Sequence, residues 1–275
     1  SYPVSSTITT PFNTTYGIGN YIVTYVINQK INAAPLTINV IDTKVYDGTP
    51  LVSDYTKATA TGLIAGDTLT AGAFTTTKAD IGTYTYPTTS TITTPFATAM
   101  GISNYTVKYV ATQDITPAGL VITINDTKAY DGTPLVSSYT IATVTGLMTG
   151  DKLTAGAATS AKADVGSYNY PLTSTITTPF ATAMGIDNYT VTYIISQTIT
   201  PAPLTITIND TKAYDGTTLT SSYTKATATG LMAGDKLTAG AATTASADIG
   251  TYNYPLTSTI STPFDTAKGI SNYTV

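Results

Sequence analysis

An all-β fold, built as a tandem array of small domains of 84 residues, is what this sequence predicts, and three observations predict it. Short motifs return at a constant spacing of 84: Tyr46, Tyr130 and Tyr214 each sit in K-x-Y-D-G-T. Strand-favouring residues dominate, with 64 Thr and 21 Tyr among 275 residues alongside abundant Val and Ile. Turn signals such as Asp-Gly, Asn-Asp and Pro pairs separate short runs at about the spacing of 8–12 residues seen in sandwiches and small barrels.

The middle repeat shows the elements in order. "LVITI" from Leu120 is short, β-branched and bounded by turn residues, so it reads as a strand. Asp131-Gly132 follows as a two-residue hairpin signal, since a type I′ turn takes positive φ at both positions. "TIATVTGL" and "KLTAGAAT" from Lys152 alternate small polar and apolar residues. "GSYNYPL" sets Tyr168 and Tyr170 on one face of a strand, and "NYTVTYIISQTI" from Asn188 sets Tyr189, Val191 and Tyr193 on one side of the longest run. "PFATAMGI" from Pro179 reads as one helical turn or an irregular crossover. Six or seven strands per repeat suit a β-sandwich-like domain, or alternatively a β-grasp-like one with a short helix.

The register gives the domain organisation. Gly66-Asp67, Gly150-Asp151 and Gly234-Asp235 keep the same spacing, as do Asp80, Asp164 and Asp248, and "NYTV" at Asn104, Asn188 and Asn272. Residues 1–33 match the C-terminal part of a repeat, Tyr2 being the counterpart of Tyr86. Residues 34–117 and 118–201 are two full repeats, and 202–275 is a third lacking its last strand. The expectation is a window cut from a longer array. Such a period exceeds the roughly 20–45 residues of a solenoid unit and suits a domain with its own core, strung as elongated beads on a string. Prolines in "ITPAG" and "ITPAP" end one repeat's last strand and stiffen the passage to the next.

Composition narrows the function classes. Charged residues make up 10% of the chain, every acid is Asp and every base is Lys, and the net charge is −4. An acidic chain without Arg is a poor partner for phosphate backbones, so no nucleic-acid partner is expected. No Cys is present, which excludes disulfides and thiolate chemistry. No apolar run approaches the roughly 20 residues of a membrane helix. No His or Glu is present either. That removes the usual acid–base partners for a catalytic Tyr46, Tyr130 or Tyr214 and the Ser-His-Asp arrangement, so no catalytic residue, no cofactor and no enzyme are expected.

The order K-x-Y-D-G-T, G-L-x-x-G-D, K-A-D-x-G-x-Y and N-Y-T-V, present across the whole repeat, resembles the YDG/MBG-type tandem repeats of large bacterial cell-surface proteins, often adhesins. The resemblance implies an extracellular, cell-wall-attached or cell-surface location. It also implies a stalk more than a binding tip.

Candidate residues follow. Tyr46-Asp47-Gly48, Tyr130-Asp131-Gly132 and Tyr214-Asp215-Gly216 read as a structural turn motif, a tyrosine anchor beside a tight turn. Calcium is the metal that Asp chemistry would suit, with Asp126, Asp131, Asp210 and Asp215 as candidates. Their spacing lacks the dense alternation of known loops, however, and turn formation is the plainer reading of them. Lys128, Asn188 and Asp164 recur together and define a candidate Lys-to-Asn crosslink; an edge-strand lysine is the plain alternative. The expected function is a structural stalk whose repeats step about 30–40 Å for strands of about ten residues. Its partners are the neighbouring repeats. The alternatives are a multivalent array binding host glycans or mucins, and a filament subunit that pairs with like chains through the strand-like "YIVTYVINQKI" from Tyr21.

Overall fold

A computed structural model describes residues 7–275; Tyr2 lies outside the described residues. The extended elements among the described residues are all β-strands, and the helical pieces are 3₁₀ turns of three residues each. The first repeat holds β1 (Ala34–Val45), β2 (Val52–Asp54), β3 (Ala58–Thr61), β4 (Leu69–Thr76), β5 (Gly82–Thr85), β6 (Ser90–Thr98) and β7 (Tyr105–Thr116). The second holds β8 (Ala118–Ala129), β9 (Val136–Ser138), β10 (Thr143–Thr145), β11 (Leu153–Ser160), β12 (Gly166–Asn169), β13 (Ser174–Thr182) and β14 (Tyr189–Thr200).

Both repeats fold the same way, into a four-stranded sheet of order β3-β1-β7-β5 or β10-β8-β14-β12 and a three-stranded sheet of order β2-β4-β6 or β9-β11-β13. First and last strands run parallel in the centre of the larger sheet, Tyr189 opposite Ala118 through Thr200 opposite Ala129. The flanking pairs are antiparallel. A parallel pair needs a long crossover, and the other five strands supply it. In the first repeat Leu36, Ile38 and Val40 of β1 share one core with Phe74 of β4 and Phe96 of β6, so side chains from both sheets interdigitate as in a sandwich. Among the described residues no α-helix packs on either sheet, so the short helix of the β-grasp-like alternative is not formed.

The close approach of the smaller sheet's strands depends on one glycine. Gly156 has φ +140, and a Cβ there would overlap the Phe180 ring, so the ring packs on bare backbone.

The third repeat follows the pattern up to a point: β15 (Ala202–Pro203), β16 (Thr205–Ile208), β17 (Thr220–Ser222), β18 (Ala226–Thr229), β19 (Leu237–Thr244), β20 (Ser258–Thr266) and β21 (Tyr273–Thr274). β21 pairs with β15 in the parallel register of a last strand. Residues 250–253, which match β12, form no strand.

By contacts the chain divides into two compact units. One holds residues up to Lys44 with Thr49–Ile115; the other holds Val45–Gly48 with Thr116–Val275, so the second and third repeats fall in one unit.

Three local expectations are revised. Asp131-Gly132 is not a type I′ hairpin turn. No non-glycine residue has positive φ among the described residues, and of this pair it is Gly132 alone, at φ +80, that is left-handed. The turn leads from β8 into the other sheet, and the Asp131 carboxylate shapes it by accepting from the Thr133 amide at 2.9 Å. The stretch from Pro179 continues β13 to Thr182 and then closes into the 3₁₀ turn Ile186–Asn188. The run from Tyr21 is not a strand here, because no strand among the described residues pairs with it.

Candidate functional site

The repeated motifs converge in space, and they do so across repeats. Tyr130 stands at the end of β8, its amide donating to the Thr200 carbonyl at 2.8 Å. Its ring is 2% exposed. It meets Tyr273 of the third repeat edge to face, with centroids 5.4 Å apart and planes at 81°. Tyr273 belongs to the N-Y-T-V motif, and its hydroxyl donates to Asp235 Oδ2 of the G-D motif at 2.8 Å while accepting from the Met232 amide at 3.2 Å. Asp235 Oδ1 takes the amides of Lys236 and Lys268 at 2.9 and 3.0 Å. Asn272 completes the set. Its Oδ1 accepts from the Val165 amide at 2.8 Å, and its Nδ2 donates to Asp164 Oδ1 at 3.2 Å. Thus K-x-Y-D-G-T and K-A-D-x-G of one repeat grip G-D and N-Y-T of the next. The apolar lining is continuous, with Tyr130, Leu135, Tyr168 and Ile199 packed with Ala202, Leu204 and Tyr273.

The same geometry appears a second time within that unit. Tyr46 meets Tyr189 at 5.4 Å and 80°, and its hydroxyl reaches Met184 Sδ at 3.7 Å. Tyr189 bonds Asp151 Oδ2 at 2.8 Å, as Tyr273 bonds Asp235. Tyr214, which carries the same motif in the third repeat, has no following repeat beside it among the described residues and is 66% exposed.

Electrostatics follow from this packing. Burial pushes the Tyr189 and Tyr273 phenols up to about 12; the adjoining carboxylates add to it and the Met148 and Met232 amides oppose it. Burial works against ionised Asp151 and Asp235, yet the donors around them outweigh it and hold both carboxyls below the usual range. Such groups stay fixed in one protonation state near neutral pH, which suits a permanent joint and not proton transfer.

Other expected residues land elsewhere. Lys128 Nζ bonds Asp131 Oδ1 at 2.7 Å, Thr133 Oγ1 at 2.8 Å and the Pro134 carbonyl at 3.2 Å. None of these bonds reaches Asn188 or Asp164, and Asp164 pairs with Asn272 instead, so the structure does not bring the crosslink trio together. Asp131 and Asp215 are held down to about 2, first by Lys128 and Lys212 and then by Thr133 and Thr217. An ammonium group therefore already sits where a calcium ion would have to bind. Asp126 and Asp210 accept from the amides of Thr127 and Thr211. Among the described residues, no group of three or more Asp, Glu, His or Cys is placed to hold a metal.

Two side chains central to the fold escaped the sequence reading. Gln113 and Gln197 are fully buried. Gln197 Nε2 donates to Ser137 Oγ at 2.6 Å and to the Leu135 and Ala158 carbonyls at 3.0 and 3.2 Å, while Ser174 Oγ donates to its Oε1 at 2.7 Å. Gln113 repeats this with Ser53, Leu51, Phe74 and Ser90. This one amide ties β14, in the larger sheet, to the smaller sheet. The available signal was that the chain's three Gln residues, 29, 113 and 197, share the spacing of 84.

The comparisons agree with the motif reading for part of the chain. A YDG domain is found at residues 200–275. No curated protein matches, and no solved structure matches.

Proposed function

We propose that this chain is a structural spacer of an extracellular bacterial surface protein, a stalk that holds a binding region away from the cell. The observation that carries the reading is the burial of Tyr130 against Tyr273: the tyrosine of the repeated K-x-Y-D-G-T motif is covered by the next repeat and is not presented to a ligand. A residue set used this way explains why the repeats are so alike, since each must match the neighbour before it and the neighbour after it. The aromatic pair and the Asn272 bonds restrict rotation at the joint, which is what a reach-extending element requires.

Small-angle scattering on arrays of increasing repeat number tests this. A constant gain in maximum dimension per 84 residues supports a spacer; arrays that fold back on themselves without lengthening overturn it. Binding of an isolated repeat on a glycan array would replace the spacer with a multivalent binder.

A further inference from the structure

The order of strands decides how a repeat responds to tension. In the second repeat the chain enters β8 at Ala118 and leaves β14 at Thr200. These strands pair in parallel, with Tyr189 opposite Ala118 and Thr200 opposite Ala129. Entry and exit therefore lie at opposite ends of one ladder, about 36 Å apart for strands of this length. Single residues, Pro117 and Pro201, separate β8 and β14 from the strands of the neighbouring repeats. Tension on the chain reaches the ladder with little slack to take it up.

Pulling the chain from both sides slides β14 along β8 and does not peel it away. The bonds of a parallel pair are evenly spaced and slanted, so sliding loads them together, whereas peeling loads the bond at the fork alone. The core opposes sliding as well. Leu120, Ile122 and Ile124 of β8 and Ile195, Gln197 and Ile199 of β14 are buried. A slip of one residue would turn the buried face of β14 outward. A slip of two would carry the Gln197 amide away from Ser137, Ser174 and the Leu135 and Ala158 carbonyls of the smaller sheet.

The exit end is fastened twice more. Thr200 Oγ1 donates to the Lys128 carbonyl at 3.3 Å, and the Thr200 carbonyl accepts from the Tyr130 amide at 2.8 Å. The tyrosine of the repeated motif thus lengthens the ladder by one bond where the force leaves it.

We propose that the second repeat is a load-bearing clamp, whose further function is to resist extension when the chain is pulled along its length. β8 and β14 form the clamp, Gln197 pins it to the smaller sheet, and the Tyr130 and Thr200 bonds fasten its exit. The first repeat has the same strand order, with β1 beside β7, and Gln113 makes the corresponding bonds. The inference rests on strand pairing and holds for a spacer and for a glycan binder alike.

The chain contains no Cys, so paired cysteines fix the points of attachment for single-molecule force spectroscopy on the 275-residue protein. Gly119→Cys with Pro201→Cys loads β8 and β14 in shear. Gly119→Cys with Thr190→Cys pulls on residues that lie opposite each other and peels the same pair from one end. All three positions are exposed, and a Cβ at Gly119 meets nothing within 4 Å, so both variants should keep the wild-type thermal transition. At one loading rate, with two or more bonds sharing the load, the rupture force in shear should exceed the peeling force about twofold or more. Rupture in shear frees about 83 residues and should lengthen the chain by about 240–260 Å. Equal forces in the two directions, or a lower force in shear, overturn the proposal. Both directions probe one fold, so a difference between them reports the path of the load and not thermodynamic stability. Gln197→Leu, placed in both pairs, should lower the shear force by the larger factor; equal reductions overturn its assignment as the pin.

Discussion

Three identical motifs in unlike surroundings allow the joint to be tested within one molecule. Tyr130→Ala removes a ring that is 2% exposed and set edge to face against Tyr273, whereas Tyr214→Ala removes the same ring from the same motif at 66% exposure. Truncating a buried aromatic costs about 3 kcal/mol or more, a figure that already includes about 1 kcal/mol from an edge-to-face pair. A mostly exposed ring costs about 0.5 kcal/mol. For a unit of this size 1 kcal/mol moves Tm by about 2–4 °C, so Tyr130→Ala should lower the transition of the second unit by about 6–12 °C and Tyr214→Ala by about 2 °C or less. Tyr46→Ala, 3% exposed against Tyr189, should behave like Tyr130→Ala. Scanning calorimetry on the full chain reads all three. Equal shifts for Tyr130 and Tyr214 would mean that the motif stabilises only its own repeat, and the joint would lose its basis.

Further outcomes follow from the same contacts. Gln197→Leu keeps the volume of the side chain but strands two serine hydroxyls and two carbonyls, so urea unfolding should show a loss of about 2–4 kcal/mol; a neutral result would contradict the network. Gly156→Ala places a methyl in the Phe180 ring at positive φ and should cost about 2 kcal/mol or more by the same assay. Tyr189 and Tyr273 have folded pKa values raised to about 12 from an unfolded value near 10. Between those values the unfolded chain has lost protons that the folded chain keeps. The stabilisation is complete below pH 10 and disappears as pH rises through 12, by at most about 2 kcal/mol for each tyrosine. A Tyr189→Phe, Tyr273→Phe double variant should show a flatter decline over that window in pH-dependent unfolding. If its slope equals that of the wild type, the assignment to these phenols fails.

Much of the architecture could be read from the sequence, and the reasons separate by kind of signal. Strand identity was legible because Thr, Val, Ile and Tyr alternate in short runs, as in β14, where Tyr189, Ile195, Gln197 and Ile199 are buried on one face. Sheet membership was not. Asp131-Gly132 carries a hairpin signal, but β8 and β9 belong to different sheets, and what decides between a hairpin and a crossover is the parallel pairing of β8 with β14, about 70 residues away. The candidate site was half legible. Periodicity marked Tyr130, Asp164, Asp235 and Asn272 as important, but a period cannot say whether a motif contacts its own repeat or the next. That distinction caused the misplaced grouping of Lys128, Asn188 and Asp164. The Asn that meets Asp164 is Asn272, one period further on.

The displacement by one period has a physical consequence. If a motif contacted only its own repeat, each domain would be satisfied alone and the passage between domains would need nothing but a linker. Here Tyr130 and Asp164 find their partners in the following repeat, and Tyr273 and Asn272 find theirs in the preceding one. Each repeat therefore presents two half-sites that are complementary to each other but separated across its fold. Two such surfaces on one body generate a directional series, for the same reason that heterologous interfaces generate filaments when they do not close. Within one chain the series is built covalently.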